Sequence, residues 1–216
     1  MQRWSVVVPA KRLATAKTRL TPLTAAQPGH RPGGHDELVL ALLADTVAAA
    51  VASSAVQLVL VVTDEPRAVD VVTALGARTV GDEPDSGLNA ALAHGAQRAR
   101  TATGGPVAAL SSDLPALRPA ELTAALDAAA GHRRGLVVDA AGTGTTLLAV
   151  TAGDLDPRFG PGSAAAHTAT GAVPLDGDWP GLRQDVDTPS DLRAVTRIGV
   201  GRRTAGVLSA RSWPPG

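Results

Sequence analysis

Residues 58–62 read Leu58-Val59-Leu60-Val61-Val62, and this stretch decides the fold class. A continuous apolar run rich in β-branched residues and bounded by polar ones predicts a strand buried on both faces. Strands of that kind are typical of parallel sheets covered by helices on both sides. The following segment, 66–75, is predicted to be a helix because a proline opens its first turn.

The same alternation of strands and helices continues in both directions from this stretch. Further strands are predicted at 6–8, 77–80, 106–110, 136–138 and 145–150. Further helices are predicted at 36–52, 87–100, 119–130, 163–170 and 188–198, with Asp36 and Ser163 as N-caps and a loop over 27–35. The pattern predicts one α/β domain over 1–200, with a mostly parallel central sheet and helices on both faces, and a C-terminal tail over 201–216.

The composition excludes several classes of function. The 216 residues carry 20 Lys+Arg and 20 Asp+Glu, and this zero net charge leaves no global field for binding nucleic acid. Aromatic residues make up 2% and cysteine is absent, which removes base-stacking platforms, disulfides and thiolate metal sites. No apolar run approaches the roughly 18 residues of a membrane span, and no signal peptide is evident. We therefore expect a cytoplasmic protein without nucleic-acid or membrane partners.

The loop after the first predicted strand is strongly basic. Lys11, Arg12, Lys17 and Arg19 lie within nine residues, and both lysines of the chain are among them. Ligands of parallel sheets bind beyond the carboxyl ends of the strands, which is where this loop is expected. Cations and backbone amides in that position favour the interpretation that the loop binds phosphate over the interpretation that it is only solvated.

Three aspartates are candidate magnesium ligands. Asp113 follows the predicted strand 106–110, where it can hold a cation or cap a turn with equal ease. Asp185 and Asp187 alternate in an extended segment, so both side chains point to one side and can share a cation. Residues 188–191 also form a helix start, which explains those residues by capping but leaves Asp185 for metal binding.

Three further segments can contact anions or a nucleotide. The glycine- and hydroxyl-rich residues 142–146 predict either an anion-binding turn or an ordinary hairpin. Residues 158–163 precede a short helix whose N-terminus can bind an anion. Asn89 can bond a base or ribose, or cap its own helix locally.

These segments together resemble the guanylyltransferase family of coenzyme F-420 biosynthesis, which acts on phosphoenolpyruvate or 2-phospho-L-lactate. The resemblance runs from Val6 to about Val200. It rests on five motifs in order: Lys-Arg-Leu-Ala-Thr-Ala-Lys-Thr-Arg-Leu (11–20), Ser-Asp-Leu-Pro-Ala-Leu (112–117), Gly-Thr-Gly-Thr (142–145), Pro-Arg-Phe-Gly-Pro-Gly-Ser (157–163) and Asp-Val-Asp-Thr-Pro-Ser-Asp-Leu (185–192). The wider superfamily usually has Gly-x-Gly-x-Arg after the first strand, and Ala and Lys here favour the F-420 branch.

The resemblance implies a Rossmann-like nucleotidyltransferase fold and Mg²⁺-dependent transfer of GMP from GTP to the phosphorylated acid, with release of pyrophosphate. It implies a downstream partner, the transferase that loads the deazaflavin precursor. The implied roles are Mg²⁺ binding by Asp113 and Asp185 with Asp187 assisting, acceptor binding by Thr145, Gly160 and Ser163, and nucleotide binding by Lys11, Arg12, Lys17, Arg19 and Asn89. Lys17, Asp113 and Asp185 are the implied catalytic residues.

Two other functions fit parts of the pattern. Asp185-Val186-Asp187 resembles the Asp-x-Asp metal motif of nucleotide-sugar glycosyltransferases, which release a nucleoside diphosphate rather than pyrophosphate. In a non-catalytic nucleotide-binding module, the aspartates would serve only as caps.

Overall fold

The computed structural model describes residues 2–10, 13, 20, 34–83 and 85–210. Within these ranges one sheet contains the strands β1 (Trp4–Pro9), β2 (Val56–Val62), β3 (Arg78–Val80), β4 (Val107–Leu110), β5 (Arg134–Val138), β6 (Thr145–Val150) and β7 (Val173–Pro174). The helices are α1 (Gly34–Ala52), α2 (Pro66–Thr73), α3 (Leu88–Thr103), α4 (Pro119–Ala129), α5 (Ser163–Ala169), α6 (Pro180–Arg183), α7 (Pro189–Ile198) and α8 (Arg202–Ser209). Every predicted strand and helix is present, with ends that shift by a few residues.

The sheet is mixed but mostly parallel, as predicted. Its strand order is β3-β2-β1-β4-β6-β5-β7. Strands β1 to β4 pair in parallel, whereas β6 runs antiparallel to both β4 and β5. Strand β6 reverses because only residues 139–144 connect it to β5, and a parallel return needs a crossover of about a dozen residues. The 139–144 turn therefore lies at the edge where β1 and β4 end.

The core forms two apolar layers, one on each face of the sheet. Alternate residues of β1 point to opposite faces, so Val6 and Val8 join one layer while Val7 joins the other. Helices α1, α2 and α4 cover the first face, and α3 and α5 cover the second. In the described ranges, none of the helices has the length and apolar character needed to cross a bilayer.

Two predicted N-caps are wrong. Helix α1 begins at Gly34, so its first residues come from the predicted 27–35 loop, and Asp36 lies in its first turn, 3.1 Å from the Arg67 guanidinium. A carboxylate in the first turn interacts favourably with the positive end of the helix dipole, but it does not cap the helix. The N-cap of α5 is Gly162, whose φ of 72° is in the left-handed region that favours glycine, and Ser163 is the first helical residue.

Residues 202–209 of the predicted tail form a helix that packs against α1. The carboxylate of Asp45 on α1 caps this helix α8, accepting bonds from Arg203 N at 3.2 Å and Thr204 N at 2.8 Å. Val207 and Leu208 pack on the apolar cluster between α1 and α7. The capping partners are 158 and 159 residues apart, so no local pattern predicts this contact.

Candidate active site

A cavity of about 640 Å³ opens where β1 and β4 end. Its volume is within the range of roughly 300–1,000 Å³ that is typical of small-molecule sites. Its position at the carboxyl ends of parallel strands is the one expected for ligand binding in this class of sheet. The lining includes Pro9, Ala10, Leu13, Leu42, Leu43, Ser111, Ser112, Asp113, Asp139, Thr143, Gly144, Thr145, Phe159, Gly160, Ser163, Asp185 and Asp187.

Three aspartates from two distant segments of the chain line this cavity. Val186 N donates a hydrogen bond to the Asp113 carbonyl at 3.2 Å, which joins the two segments side by side. The side chain of Val186 is fully buried, while Asp185 and Asp187 on either side of it both line the cavity with Asp113. The predicted alternation of Asp185 and Asp187 is therefore confirmed.

Thr46 of α1 fixes the backbone that carries Asp113. Its hydroxyl donates to Leu42 O at 2.9 Å and accepts the bond from Leu114 N, also at 2.9 Å. Asp113 does not cap the next helix, α4, whose N-cap is Arg118. The buried carboxylate of Asp113 is thus held at the cavity by the fold around it.

The segment that carries Asp185 and Asp187 is fixed by the predicted capping box. Thr188 is the N-cap of α7, and the Asp191 carboxylate accepts bonds from Thr188 N at 2.7 Å and Asp187 N at 3.1 Å. Capping thus occupies Thr188 and Asp191, while the side chains of Asp185 and Asp187 line the cavity.

The 139–144 turn is a hairpin that also forms part of the cavity wall. Asp139 Oδ1 accepts a bond from Thr143 N at 2.9 Å, and a Cβ at Gly144 would collide with Asp139 Oδ2. Glycine at that position therefore lets the backbone approach the carboxylate. Sequence analysis overlooked Asp139, although an aspartate that follows a strand and precedes a glycine-rich segment is a signal for a turn.

Asn89 clamps the loop over 157–162. Its Nδ2 donates to Phe159 O at 3.0 Å, and its Oδ1 accepts from Phe159 N at 2.8 Å. This loop brings Gly160 to the cavity at a φ of 135°, in the left-handed region that favours glycine, and Ser163 lines the cavity after it. The nucleotide contact of Asn89 stays a prediction, and the observed clamp is a long-range contact rather than a local cap.

A buried histidine connects the cavity-lining Thr145 to the loop over 157–162. His167 of α5 is fully buried; its Nδ1 lies 3.0 Å from Thr145 Oγ1, and its Nε2 accepts a bond from Arg158 N at 2.8 Å. Burial, with a smaller contribution from the Arg134 charge, lowers the pKa of His167 to about 4. The ring is therefore neutral at neutral pH. Sequence analysis missed this residue because its contacts depend on tertiary structure alone.

A family model described as guanylyl transferase CofC like matches residues 4–209. The chain belongs to this family. A protein from Geodermatophilus obscurus, named phosphoenolpyruvate guanylyltransferase, is 62% identical to this CofC-like chain. The match covers 100% of this chain and 99% of that protein. A protein of the same name from Salinispora arenicola is 53% identical, covering 94% of this chain and 92% of its own. The family confirms the resemblance seen in the five motifs and makes the chain a nucleotidyltransferase enzyme.

Solved structures confirm the fold. A protein of Desulfovibrio desulfuricans, described provisionally as a nucleotide-diphospho-sugar transferase, superposes with a TM-score of 0.67 over 98% of this chain and 96% of its own. At 17% identity this likeness shows the architecture only. The CofC-like chain therefore has the Rossmann-like nucleotidyltransferase fold that the resemblance implied.

The carboxylates suit a cation that is bound together with a phosphate ligand. In the part of the chain that the structure describes, no group of three or more acidic or histidine side chains forms a preformed metal site. Magnesium typically takes one or two carboxylates and completes its octahedron with water and substrate phosphates. Asp113 and Asp185 in one cavity, with Asp187 beside them, match that donor set.

The four cations Lys11, Arg12, Lys17 and Arg19 lie outside the described residues. Two described residues, one before and one after Lys11 and Arg12, lie at the site. Ala10 and Leu13 both line the cavity, and Leu13 N donates to the Glu65 carboxylate at 3.3 Å. The described residues on either side of Lys11 and Arg12 in the sequence therefore lie at the cavity.

Proposed function

We propose that this CofC-like enzyme transfers GMP from GTP to phosphoenolpyruvate, with Mg²⁺ and release of pyrophosphate, in coenzyme F-420 biosynthesis. The observation that carries the proposal is that Asp113, Asp185 and Asp187 line the same cavity as Thr145 and Ser163. The names of the relatives from Geodermatophilus and Salinispora support phosphoenolpyruvate as the acceptor.

Charge is the main physical obstacle to this reaction. GTP and phosphoenolpyruvate are both anionic, and two like unit charges ~4 Å apart repel by about 4 kcal/mol near a protein surface. The chain has a formal net charge of zero, so compensation must be local. Asp113 and Asp185, with Asp187 assisting, would hold Mg²⁺, which neutralises phosphate charge and polarises the α-phosphate when bound. The four cations after β1 would bind the triphosphate.

The acceptor is positioned by the other part of the cavity wall. Thr145, Ser163 and the backbone at Gly160 would bind its phosphate and carboxylate oxygens. An acceptor phosphate oxygen then attacks the α-phosphorus of GTP while the bond to pyrophosphate breaks. This oxygen is already ionised at neutral pH, so no general base is needed, and positioning supplies much of the rate.

The product is a phosphoanhydride between GMP and the phosphorylated acid. Such an anhydride is labile in water, and a transferase that loads it onto the deazaflavin precursor would consume it. We expect that enzyme to be a transient partner of this protein.

One assay tests the proposed reaction directly. The protein is incubated with GTP and Mg²⁺, and with phosphoenolpyruvate or 2-phospho-L-lactate in separate reactions, while pyrophosphate and new ³¹P signals are followed. The proposal requires pyrophosphate and a new phosphoanhydride signal with phosphoenolpyruvate. A faster reaction with 2-phospho-L-lactate would reassign the acceptor. Absence of pyrophosphate with both acids, together with release of a nucleoside diphosphate from a nucleotide sugar, would support glycosyl transfer instead.

A further inference from the structure

The proposed reaction gives no role to His167, although this side chain contacts Thr145 in the cavity wall and the loop that leads to Gly160. It is fully buried, and its two ring nitrogens contact Thr145 Oγ1 and Arg158 N. Thr145 belongs to β6, and Arg158 belongs to the loop that brings Gly160 to the cavity. One ring therefore connects both elements of the proposed acceptor site.

The contact with Arg158 fixes the tautomer of the ring. A backbone N–H can only donate, so His167 Nε2 must be the acceptor in the 2.8 Å bond. A neutral imidazole then carries its one proton on Nδ1. The lowered pKa agrees with this arrangement, because a protonated ring would direct an N–H at the Arg158 amide.

The tautomer in turn fixes the direction of the Thr145 hydroxyl bond. Because His167 Nδ1 carries the proton, Thr145 Oγ1 accepts in the 3.0 Å contact. Its own hydroxyl hydrogen is left for a different acceptor, and no second side-chain bond of Thr145 is present in the described ranges. Thr145 lines the cavity, so this hydrogen is available to a ligand there.

We infer that His167 is a positioning residue that makes the Thr145 hydroxyl an obligatory donor to an anionic oxygen of the acceptor. This inference rests on the proposed function, since it names how the same site selects its acceptor. A hydroxyl that must donate favours a phosphate or carboxylate oxygen and disfavours a group that can only donate. The role is distinct from proton transfer, because the ring keeps its proton throughout the reaction.

The tautomer is measured first, on the wild-type protein without substrates. Long-range ¹H–¹⁵N NMR spectra of the uniformly labelled chain distinguish protonated from unprotonated ring nitrogens, and the His167→Gln variant assigns the signals by their loss. We expect a protonated Nδ1 and an unprotonated Nε2 at pH 7. The opposite tautomer, or a doubly protonated ring, would overturn the inference even if every variant misfolded.

Kinetics then test the effect on the acceptor. In His167→Gln the amide oxygen can replace Nε2 as the acceptor from Arg158 N. The amide lies one bond too far from Cβ to place its NH2 at the Nδ1 position, so the bond to Thr145 is lost. We expect the KM for phosphoenolpyruvate to rise about two- to tenfold, the range of one net hydrogen bond. The KM for GTP should stay within about twofold. Thr168→Val is the matched control. Thr168 is an exposed residue next to His167 on the same helix, its hydroxyl bonds Ala164 O at 2.8 Å, and its loss should leave both KM values unchanged.

A double substitution separates positioning from general support of the structure. Thr145→Val should raise the acceptor KM roughly tenfold to a hundredfold by removing a bond to a charged group, while Thr145→Ser keeps the hydroxyl and stays near wild type. In the Thr145→Val background, His167→Gln should add no further rise. An equal rise in both backgrounds, or parallel rises in both KM values, would overturn the inference. Absence of wild-type turnover in the pyrophosphate assay would instead be a failure of the proposed function.

Discussion

Removal of the Asn89 clamp is expected to weaken acceptor binding rather than GTP binding. The Asn89→Ala substitution deletes two bonds, at 3.0 Å and 2.8 Å, that hold the Phe159 backbone. At about 0.5–1.5 kcal/mol for each net bond, the loop over 157–162 loses about 1–3 kcal/mol of support. Because the acceptor must restore the loop when it binds, that loss corresponds to a rise in its KM of roughly 5- to 150-fold.

Steady-state kinetics with each substrate varied in turn measure this effect. The KM for phosphoenolpyruvate should rise by that factor, and the KM for GTP should change by less than about twofold. Asn89→Ala with an increased KM for GTP and an unchanged acceptor KM would refute this reasoning. That result would support the role that the family resemblance implies for Asn89, a contact with the nucleotide.

Three further perturbations test single contacts of the fold and the site. The folded-state pKa of His167 lies near 4, below the ordinary 6.5, so the unfolded chain binds a proton that the folded chain does not bind between these pH values. The free energy of unfolding, measured by urea titration, should therefore fall by up to about 3 kcal/mol between pH 6.5 and pH 4. His167→Gln should reduce that fall. An equal fall in the variant would contradict this assignment. Gly144→Ala should displace Asp139 from its bond in the turn and cost about 1 kcal/mol in chemical denaturation, and an unchanged midpoint would show that the turn tolerates a Cβ. Asp45→Ala leaves two backbone amides of α8 without their cap and should cost this helix about 1–2 kcal/mol of stability. Hydrogen exchange over 202–209 should therefore accelerate. Unchanged protection would mean that apolar packing alone holds the helix.

Patterns within a few residues predicted the elements of this fold well. The apolar run at 58–62 became β2, and the capping residues Thr188 and Asp191 start α7 as expected. The alternation of Asp185 and Asp187 was also predictable, because side chains of an extended segment point to alternate sides. Each of these features depends on local geometry that the residue types themselves impose.

Contacts between distant parts of the chain were not predictable in this way. Asn89 and Phe159 are 70 residues apart, and Asp45 caps a helix more than 150 residues away. The antiparallel direction of β6 is an exception, because the predicted strand ends at 138 and 145 already leave a connection of six residues, which is too short for a parallel crossover. No local pattern indicates His167, because its partners are brought to it only when the sheet and the loop over 157–162 have formed.

The central claim is that Asp113 and Asp185 jointly bind the cation that the reaction needs. The most direct test is the Mg²⁺ dependence of pyrophosphate release in the wild type and in Asp113→Asn and Asp185→Asn. Asp139→Asn is the matched control, because it lines the same cavity and its amide oxygen can still accept the bond from Thr143 N. We expect each of the first two variants to lose rate on the order of a hundredfold and to need more Mg²⁺, while the control keeps the wild-type dependence. Wild-type rates and Mg²⁺ dependence in both Asp113→Asn and Asp185→Asn would contradict it.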